Sequence, residues 1–281
     1  MIIATRPKVS IVVPTRNSEG TLAQGLESIR NQTYKNIELI VTDELSNDRT
    51  VEIARRFADR VCITEAKERS AQKNLGIKIS TGEFICFIDS DMELTPAVIE
   101  ECVERIVIGE RVGGVIIPER SIGPSFWVKV RDFERSFYAG SVVESARFFR
   151  RDLVVQVSGF DEDLLFFEES VLPQKIENLG YSVRARIESE ILHREDDFSL
   201  WRHLRKRYYY GKTTRGYKQR NPDYYKKQYG LWYRLTLFIA NDRFVRRPIL
   251  GLSVLVLKAL ELCFNEFGAF SSKLARNERP Q

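Results

Sequence analysis

The sequence predicts an α/β fold, a mostly parallel sheet flanked by helices on both faces, with a basic helical extension at its C-terminal end. Three observations carry this. Over the first 118 residues, apolar runs of strand length alternate with segments of helical apolar spacing. The repeated strand–helix order requires crossover connections, and so parallel strands. Beyond residue 200 the pattern changes to cations interleaved with aromatics, and then to one long apolar segment.

The elements follow in order. Val9–Thr15 (VSIVVPT) reads as a buried strand, with Asn17, Ser18 and Gly20 turning the chain. Leu22, Leu26 and Ile29 mark one helical face. Ile37–Asp43 (IELIVTD) is the second strand; Ser46 or Asp48 is placed to cap a helix that buries Ile53 and Phe57. Val61–Thr64 (VCIT) is a short strand. Ala71, Leu75 and Ile79 define a third helix with Gly82 just past its end. Phe84–Ile88 (FICFI) is a strand, Pro96 starts a helix carrying Val98, Cys102 and Ile106, and Gly114–Pro118 closes the series. Ligands of such sheets bind beyond the carboxyl ends of the strands. Three strands here end in polar groups at that edge: Thr15 and Arg16, Asp43 and Glu44, Asp89 and Asp91.

Composition bounds the rest. The chain has 281 residues, 43% hydrophobic and 30% charged, enough to bury a real core and too apolar for a disordered protein, except at ends such as Arg276 to Gln281. Cys62, Cys86, Cys102 and Cys263 lack metal-type spacing and are expected as buried, reduced thiols. The N-terminal MIIATRPKVS runs straight into a strand pattern, which predicts no secretion signal and a cytoplasmic location. The net charge of +5 is uneven: ten Lys or Arg lie between Trp201 and Lys227 against the single acid Asp223. An anionic partner is expected there.

Asp89 and Asp91 flank Ser90 at the end of an apolar strand. Mg²⁺ and Mn²⁺ prefer hard oxygen ligands and take only one or two from protein when a substrate diphosphate supplies others. The same D-x-D pattern also serves a turn that caps the next helix. Further on, Glu168 and Glu169 precede a helix carrying Leu172, Ile176 and Leu179, with Pro173 expected in its first turn. Acidic residues there also suit the dipole of a helix N-terminus. His193, one of two histidines, follows Ile191 and Leu192 at a strand-like end.

The run VSIVVPTRNSEGTLAQGLESIRNQTYKNIELIVTDELSNDRT, with ERSAQKNLGI and STGEFICFIDSDME, resembles the nucleotide-sugar half of the family 2 glycosyltransferases. The resemblance runs from Lys8 to Asp91 and extends through GFDEDLLFFEES to about Gly211. It implies the GT-A, Rossmann-like fold, with residues 1–118 as the nucleotide-sugar half, 119–200 as the acceptor side and 201–281 as the extension. It implies a UDP- or GDP-sugar donor, Mg²⁺ or Mn²⁺, a glycan or polyprenyl-linked acceptor, and inversion by one displacement. By resemblance, Pro14, Thr15, Arg16 and Asn17 form the first nucleotide loop, and Asp43 and Glu44 the base-binding acidic pair. Leu45 stands where the family usually has Gly, which leaves both uracil and guanine open. Arg69 matches a basic residue near the nucleotide, Asp89 a group near the ribose, and Asp91 the metal ligand, with His193 at the metal or diphosphate. Glu169 matches the catalytic base, usually Asp, and Glu168 is the alternate. Phe166 and Phe167 precede this pair, and Arg147–Asp152 (RFFRRD) resembles the strand and basic corner that border the acceptor pocket.

The basic, aromatic segment suits three partners: the donor diphosphate, an anionic membrane surface with Trp201 and Tyr208–Tyr210 at headgroup level, or RNA. The resemblance favours the first two over nucleic acid. The longest uncharged run after Pro248, Ile249 to Leu257, is far short of the roughly twenty apolar residues a span needs. That segment is expected in the membrane interface, or else packed on the body or in a dimer interface. A non-catalytic nucleotide-binding or membrane-scaffold protein of the same fold is the alternative to an enzyme, motivated by Leu45 and Glu169.

Overall fold

The computed structural model describes residues 6–164, 168–220 and 222–277. They cluster into two compact units. The first contains Met1–Arg120, Glu144–Glu162 and Glu168–Arg194; the second is built chiefly from Ser121–Val143 and Glu195–Gln281. The 119–200 stretch, expected as one half, contributes to both.

In the first unit the chain runs β1 (Val9–Thr15), α1 (Leu22–Arg30), β2 (Ile37–Asp43), α2 (Thr50–Phe57), β3 (Arg60–Ile63), α3 (Glu68–Ile79), β4 (Phe84–Phe87), β5 (Met92–Leu94), α4 (Val98–Ile108), β6 (Gly114–Ile116) and β7 (Glu119–Ile122). After α5 (Phe126–Arg135), which belongs to the second unit, come β8 (Phe148–Arg150), α6 (Arg151–Gln156), α7 (Glu168–Glu177), β9 (Ala185–Arg186) and β10 (Ile191–Arg194). The main sheet has the order β3-β2-β1-β4-β8-β6-β9, and a small sheet the order β5-β10-β7. Pairings among β1 to β4 are parallel; β8 runs antiparallel between β4 and β6.

All seven residues of β1 are buried, as a strand covered on both faces requires. Alternate residues feed two cores: Ile11, Val13, Leu39 and Val41 on one face, Val12, Ile40, Ile85 and Phe87 on the other. Register then builds the rim. Thr15 pairs with Asp43 and Val12 with Phe87, so the polar ends of β1, β2 and β4 emerge side by side.

Several local expectations are corrected. The buried face of α3 is Ser70, Gln72, Lys73, Gly76 and Ile77, not Ala71–Leu75–Ile79, because this helix turns polar groups toward the rim. Gly76 is needed there: a Cβ would lie 2.3 Å from Val12 Cγ1. Gly82 is not a left-handed cap; it lets the chain pass Ser10, whose N would be 2.6 Å from an added Cβ. Asp48, not Ser46, bonds the start of α2, accepting from Thr50 N at 2.9 Å. Pro173 lies in the interior of α7, beyond its first turn, and Leu179 is exposed past its end. Cys86 and Cys102 are buried, but Cys62 is half-buried and Cys263 exposed; all four thiols are free. Phe166 and Phe167 lie outside the described residues.

The second unit contains α5 and five further helices: α8 (Leu200–Arg220), α9 (Pro222–Tyr229), α10 (Leu231–Ile239), α11 (Asp242–Arg246) and α12 (Pro248–Asn277). Helix α12 packs along α8 and α5 around Val130, Phe133, Phe137, Phe238, Val254 and Leu257. Its stretch Pro248–Ser272 is long and apolar enough to cross a bilayer, which the uncharged-run reading missed. The interrupting charges Lys258 and Glu261 are buried within this bundle.

Candidate active site

The loops after β1 and β2 hold each other. Thr15 Oγ1 donates to Asp43 Oδ2 at 2.8 Å, and Asp43 also accepts from Ser46 N at 2.8 Å and Ser46 Oγ at 2.6 Å. Asn17 N donates to Ser46 Oγ, and Asn17 Oδ1 accepts from Asn47 N. Glu44 pairs with Arg16 at 2.5 Å and accepts from Gln72 Nε2 at 3.3 Å. Asp43 is fully buried, and both its oxygens accept from the protein, so it acts on the rim through the loop it shapes. That loop puts Leu45 at φ 44 and 60% exposed, and Asn17 at φ 47. Left-handed backbone at a branched, exposed side chain is strain that the surroundings must enforce.

The two aspartates after β4 have different settings. Asp91 is part-exposed, and its Oδ2 lies 2.9 Å from His193 Nε2. The antiparallel pairing of β5 with β10 sets His193 opposite Met92, and Arg194 N donates to Asp91 O at 3.0 Å. Asp89 turns inward among three cations: Arg69 Nη1 at 3.8 Å, Arg147 Nη2 at 3.7 Å and Lys73 Nζ at 3.9 Å. Its Oδ1 is buried and accepts no hydrogen bond. Ser90 Oγ is 2.9 Å from Ser18 Oγ, which ties this turn to the first loop.

Glu168 and Glu169 open α7 and join the same cluster. Glu169 Oε1 accepts from Lys73 Nζ at 3.1 Å and from Arg147 Nη1 at 3.1 Å, and Arg147 Nη2 reaches its Oε2 at 3.4 Å. Arg147 also binds Glu119 at 2.6 Å. Glu168 is buried with Arg69 Nη2 3.2 Å away, yet neither of its oxygens accepts a hydrogen bond. Lys73 is fully buried over the Phe160 ring. Burial raises the Glu169 carboxyl, but Arg147, Lys73 and Arg69 outweigh it and hold its pKa well below the usual range. For Glu168, burial wins over Arg69 and Lys73, and its pKa is raised. Burial lowers Arg147, but Glu119, Glu169 and Asp89 hold it well above its ordinary value. Two adjacent carboxyls are thus pushed apart, a pattern associated with functional sites.

The structure therefore gathers Arg69, Asp89, Glu168 and Glu169 into one cluster, pairs Asp91 with His193, and joins Thr15, Arg16 and Asn17 to the Asp43–Glu44 loop. Pro14 is buried within β1. Of the basic corner, only Arg147 enters the cluster; Arg150 and Arg151 bond to backbone carbonyls and Ser80. Lys73 and Glu119 were missed in the sequence. The available signal was Lys73 four residues after Arg69, one helical turn along the same face.

Residues 10–161, more than half of the chain, match the model of the family described as Glycosyl transferase family 2. The "UDP-Glc:alpha-D-GlcNAc-diphosphoundecaprenol beta-1,3-glucosyltransferase WfaP" of Escherichia coli is 38% identical over 87 residues, 30% of this chain and 35% of that one. The "GalNAc(5)-diNAcBac-PP-undecaprenol beta-1,3-glucosyltransferase" of Campylobacter jejuni is 31% identical over 106 residues, 35% of this chain and 34% of that one. The matched stretch thus spans about a third of these curated relatives' length. Among solved structures, a mannosyltransferase of Pyrobaculum calidifontis in complex with GDP-Man and Mn²⁺ superposes with a TM-score of 0.65 at 18% identity, covering 97% of this chain and 89% of that one. At that identity the likeness concerns the fold.

Proposed function

Because the chain belongs to glycosyl transferase family 2, we propose that it is an inverting glycosyltransferase. It moves a sugar from a UDP- or GDP-sugar to an acceptor hydroxyl or phosphate on a glycan or polyprenyl lipid. The observation that carries this reading is the convergence of Asp89, Arg69, Lys73, Arg147 and Glu169 at the carboxyl edge of the parallel sheet.

The β1 and β2 loops form the nucleoside side, with Asp43 shaping the loop and Glu44 holding Arg16. Arg69 serves the diphosphate. Asp91 and His193 fit a divalent cation: one hard oxygen and one imidazole nitrogen, close together and part-exposed. Among the described residues no three His, Cys, Asp or Glu side chains are arranged to hold a metal ion by themselves, so the diphosphate and water would complete the shell. Bound there, Mg²⁺ or Mn²⁺ supplies charge neutralisation at the leaving diphosphate.

In the transfer, the acceptor oxygen bonds to the anomeric carbon as the bond to the diphosphate oxygen breaks. The electron pair leaves with the diphosphate and the acceptor proton passes to Glu169. A carboxylate held ionised by Lys73 and Arg147 is a weak base. It suffices here because a hydroxyl turns acidic as its new bond to carbon forms. Glu168, on the same helical turn with a raised pKa, is the second candidate.

Both curated relatives are named for undecaprenol-linked diphosphates, and one for UDP-glucose; the solved neighbour holds GDP-Man with Mn²⁺. These support a nucleotide-sugar donor, a divalent cation and a lipid-linked acceptor met at the cytoplasmic membrane face. The double hold on Glu169 favours one other reading, a nucleotide-binding protein of this fold without turnover.

The test is the unfolding midpoint with UDP and with GDP, each with and without Mn²⁺, followed by nucleotide release from the matching sugar donor. The expected result is a rise requiring one nucleotide and the metal together, plus turnover that Asp91→Ala lowers by about 100-fold or more. Glu169→Gln should lower turnover by about 100-fold with nucleotide affinity unchanged. No midpoint rise with either nucleotide would reject the donor site. Metal-dependent binding without turnover on lipid-linked acceptors would leave the second reading.

A further inference from the structure

The second unit carries a surface that the transfer chemistry does not use. Along α12, Ile249, Leu252, Val256, Ala259, Cys263 and Phe267 are exposed at spacings of three and four, so they form one outer face. Phe270 extends it. Ile249, Leu252 and Phe267 are 74%, 65% and 67% exposed. From Ile249 to Phe270 the stripe runs about 30 Å. A soluble monomer rarely leaves so long a row of large apolar side chains in water. Glu266 is the one exposed acid on this helix among the described side chains.

Cations flank the stripe. Arg243, Arg246 and Arg247 are exposed just before Pro248, and Arg246 faces a surface acid, Asp242, at 3.6 Å. Helix α8, packed along α12, exposes Arg202, Arg205, Lys206 and Lys212. Trp201, also exposed, lies with its ring 5.7 Å from Phe264 of α12, and Trp232 of α10 is exposed as well. Apolar stripe, cations and tryptophans together match the layers of a bilayer interface: acyl chains, anionic phosphates and the headgroup boundary.

We propose that the outer face of α12, with the arginines beside its start, docks flat on an anionic lipid bilayer without crossing it. The exposed arginines and tryptophans beside the stripe select this occupant, the first pairing with anionic headgroups and the second seating at the headgroup boundary. The inner face argues against crossing. Lys258 and Glu261 are buried on it, bonded to Glu134 and His203 of the neighbouring helices. Lipid surrounding α12 would have to strip away α8 and α5 and leave those charges in hydrocarbon. The proposal extends the lipid-linked acceptor reading, but vesicle binding measures it with no turnover, so either can fail alone.

The experiment is flotation of the full chain with vesicles of phosphatidylcholine alone and of about three parts phosphatidylcholine to one part phosphatidylglycerol. The expected result is binding to the anionic vesicles at least about tenfold stronger, weakened by salt. Leu252→Glu with Phe267→Glu, and separately Arg246→Glu with Arg247→Glu, should each reduce it by about tenfold or more while the unfolding midpoint holds. Absence of binding to both vesicles, or binding that both variants retain, overturns the proposal. So does a dimer in solution that Leu252→Glu dissolves, which would assign the face to a second copy. Resistance to alkaline carbonate extraction would equally overturn it, in favour of a spanning helix.

Discussion

Leu45 and Lys73 are the residues at which sequence and site diverge most usefully. Leu45 was visible as a departure from the glycine usual at its position, but its cost was not, because φ depends on the Asp43–Ser46 bonds that fold the loop. A left-handed leucine costs about 1–2 kcal/mol, and glycine there loses part of that gain to its freer unfolded chain. Leu45→Gly should therefore raise stability in urea unfolding by about 0.5–1 kcal/mol. An unchanged or lowered stability would mean the exposed side chain has contacts that offset the strain. Lys73 escaped for the opposite reason. Apolar periodicity looks for a greasy face, and α3 buries a polar one, so the spacing of Ala71, Leu75 and Ile79 pointed to the wrong side. The places of Asp89, Asp91, His193, Glu168 and Glu169 were legible because strand ends and helix starts fix where such side chains emerge; the roles proposed for them came from the resemblance.

At the scale of elements, apart from the three-residue β5, which was not expected, the strands and helices through α4 lie close to their expected places because their apolar periods are strong and their breaks carry Gly, Pro, Asn or Asp. Strand β8 falls where the resemblance places one, within Arg147–Asp152, but its antiparallel direction was not legible, since a three-residue strand has no period of its own. The charges of α12 read as interruptions of an apolar run because charge was counted without its partners. Lys258 binds both Glu134 and Glu261 at 2.5 Å, and Glu261 also accepts from His203 at 2.6 Å and Arg207 at 3.3 Å. Gly268 permits this closeness: a Cβ there would sit 2.0 Å from Tyr208 O. Removing one member strands the others, so Glu261→Gln should cost about 3 kcal/mol at neutral pH. Burial raises the carboxyls of Glu134 and Glu261, yet Lys258 and its fellow cations hold both below the ordinary value. Their stabilisation is thus complete above the unfolded carboxylate pKa of about 4.3 and is lost as pH falls through the folded values. Burial lowers His203, so its protonation in the unfolded chain also favours unfolding as pH drops below about 6.5. Urea midpoints measured from neutral to acid pH should fall for the native chain and fall less for Glu261→Gln. Parallel curves would remove Glu261 from the acid response.

For the whole molecule, the sequence suggests boundaries near residues 118 and 200, where composition changes, but the chain is threaded otherwise. Composition marks the basic extension; it does not mark α5, an ordinary amphipathic helix between two sheet strands. Yet α5 belongs to the second unit, where Val130, Phe133 and Phe137 pack against Phe238, Val254 and Leu257. The extension is therefore not a detachable tail. A chain ending at Arg194 keeps α5 but loses Phe238, Val254 and Leu257 from that apolar face. Each large apolar side chain returned to water costs about 1.5–3 kcal/mol, and several are returned at once. Such a truncation should yield aggregated protein that binds a hydrophobic dye strongly, while the full chain stays dye-silent at this face. If the truncated chain elutes as a dye-silent monomer, α5 has another cover and the two-unit division fails. Because α5 interrupts the first unit's chain between β7 and β8, the second unit cannot be excised with one cut either. Its helices must assemble around a segment made long before them, so cooperative unfolding of α5 together with the C-terminal helices is the expected behaviour.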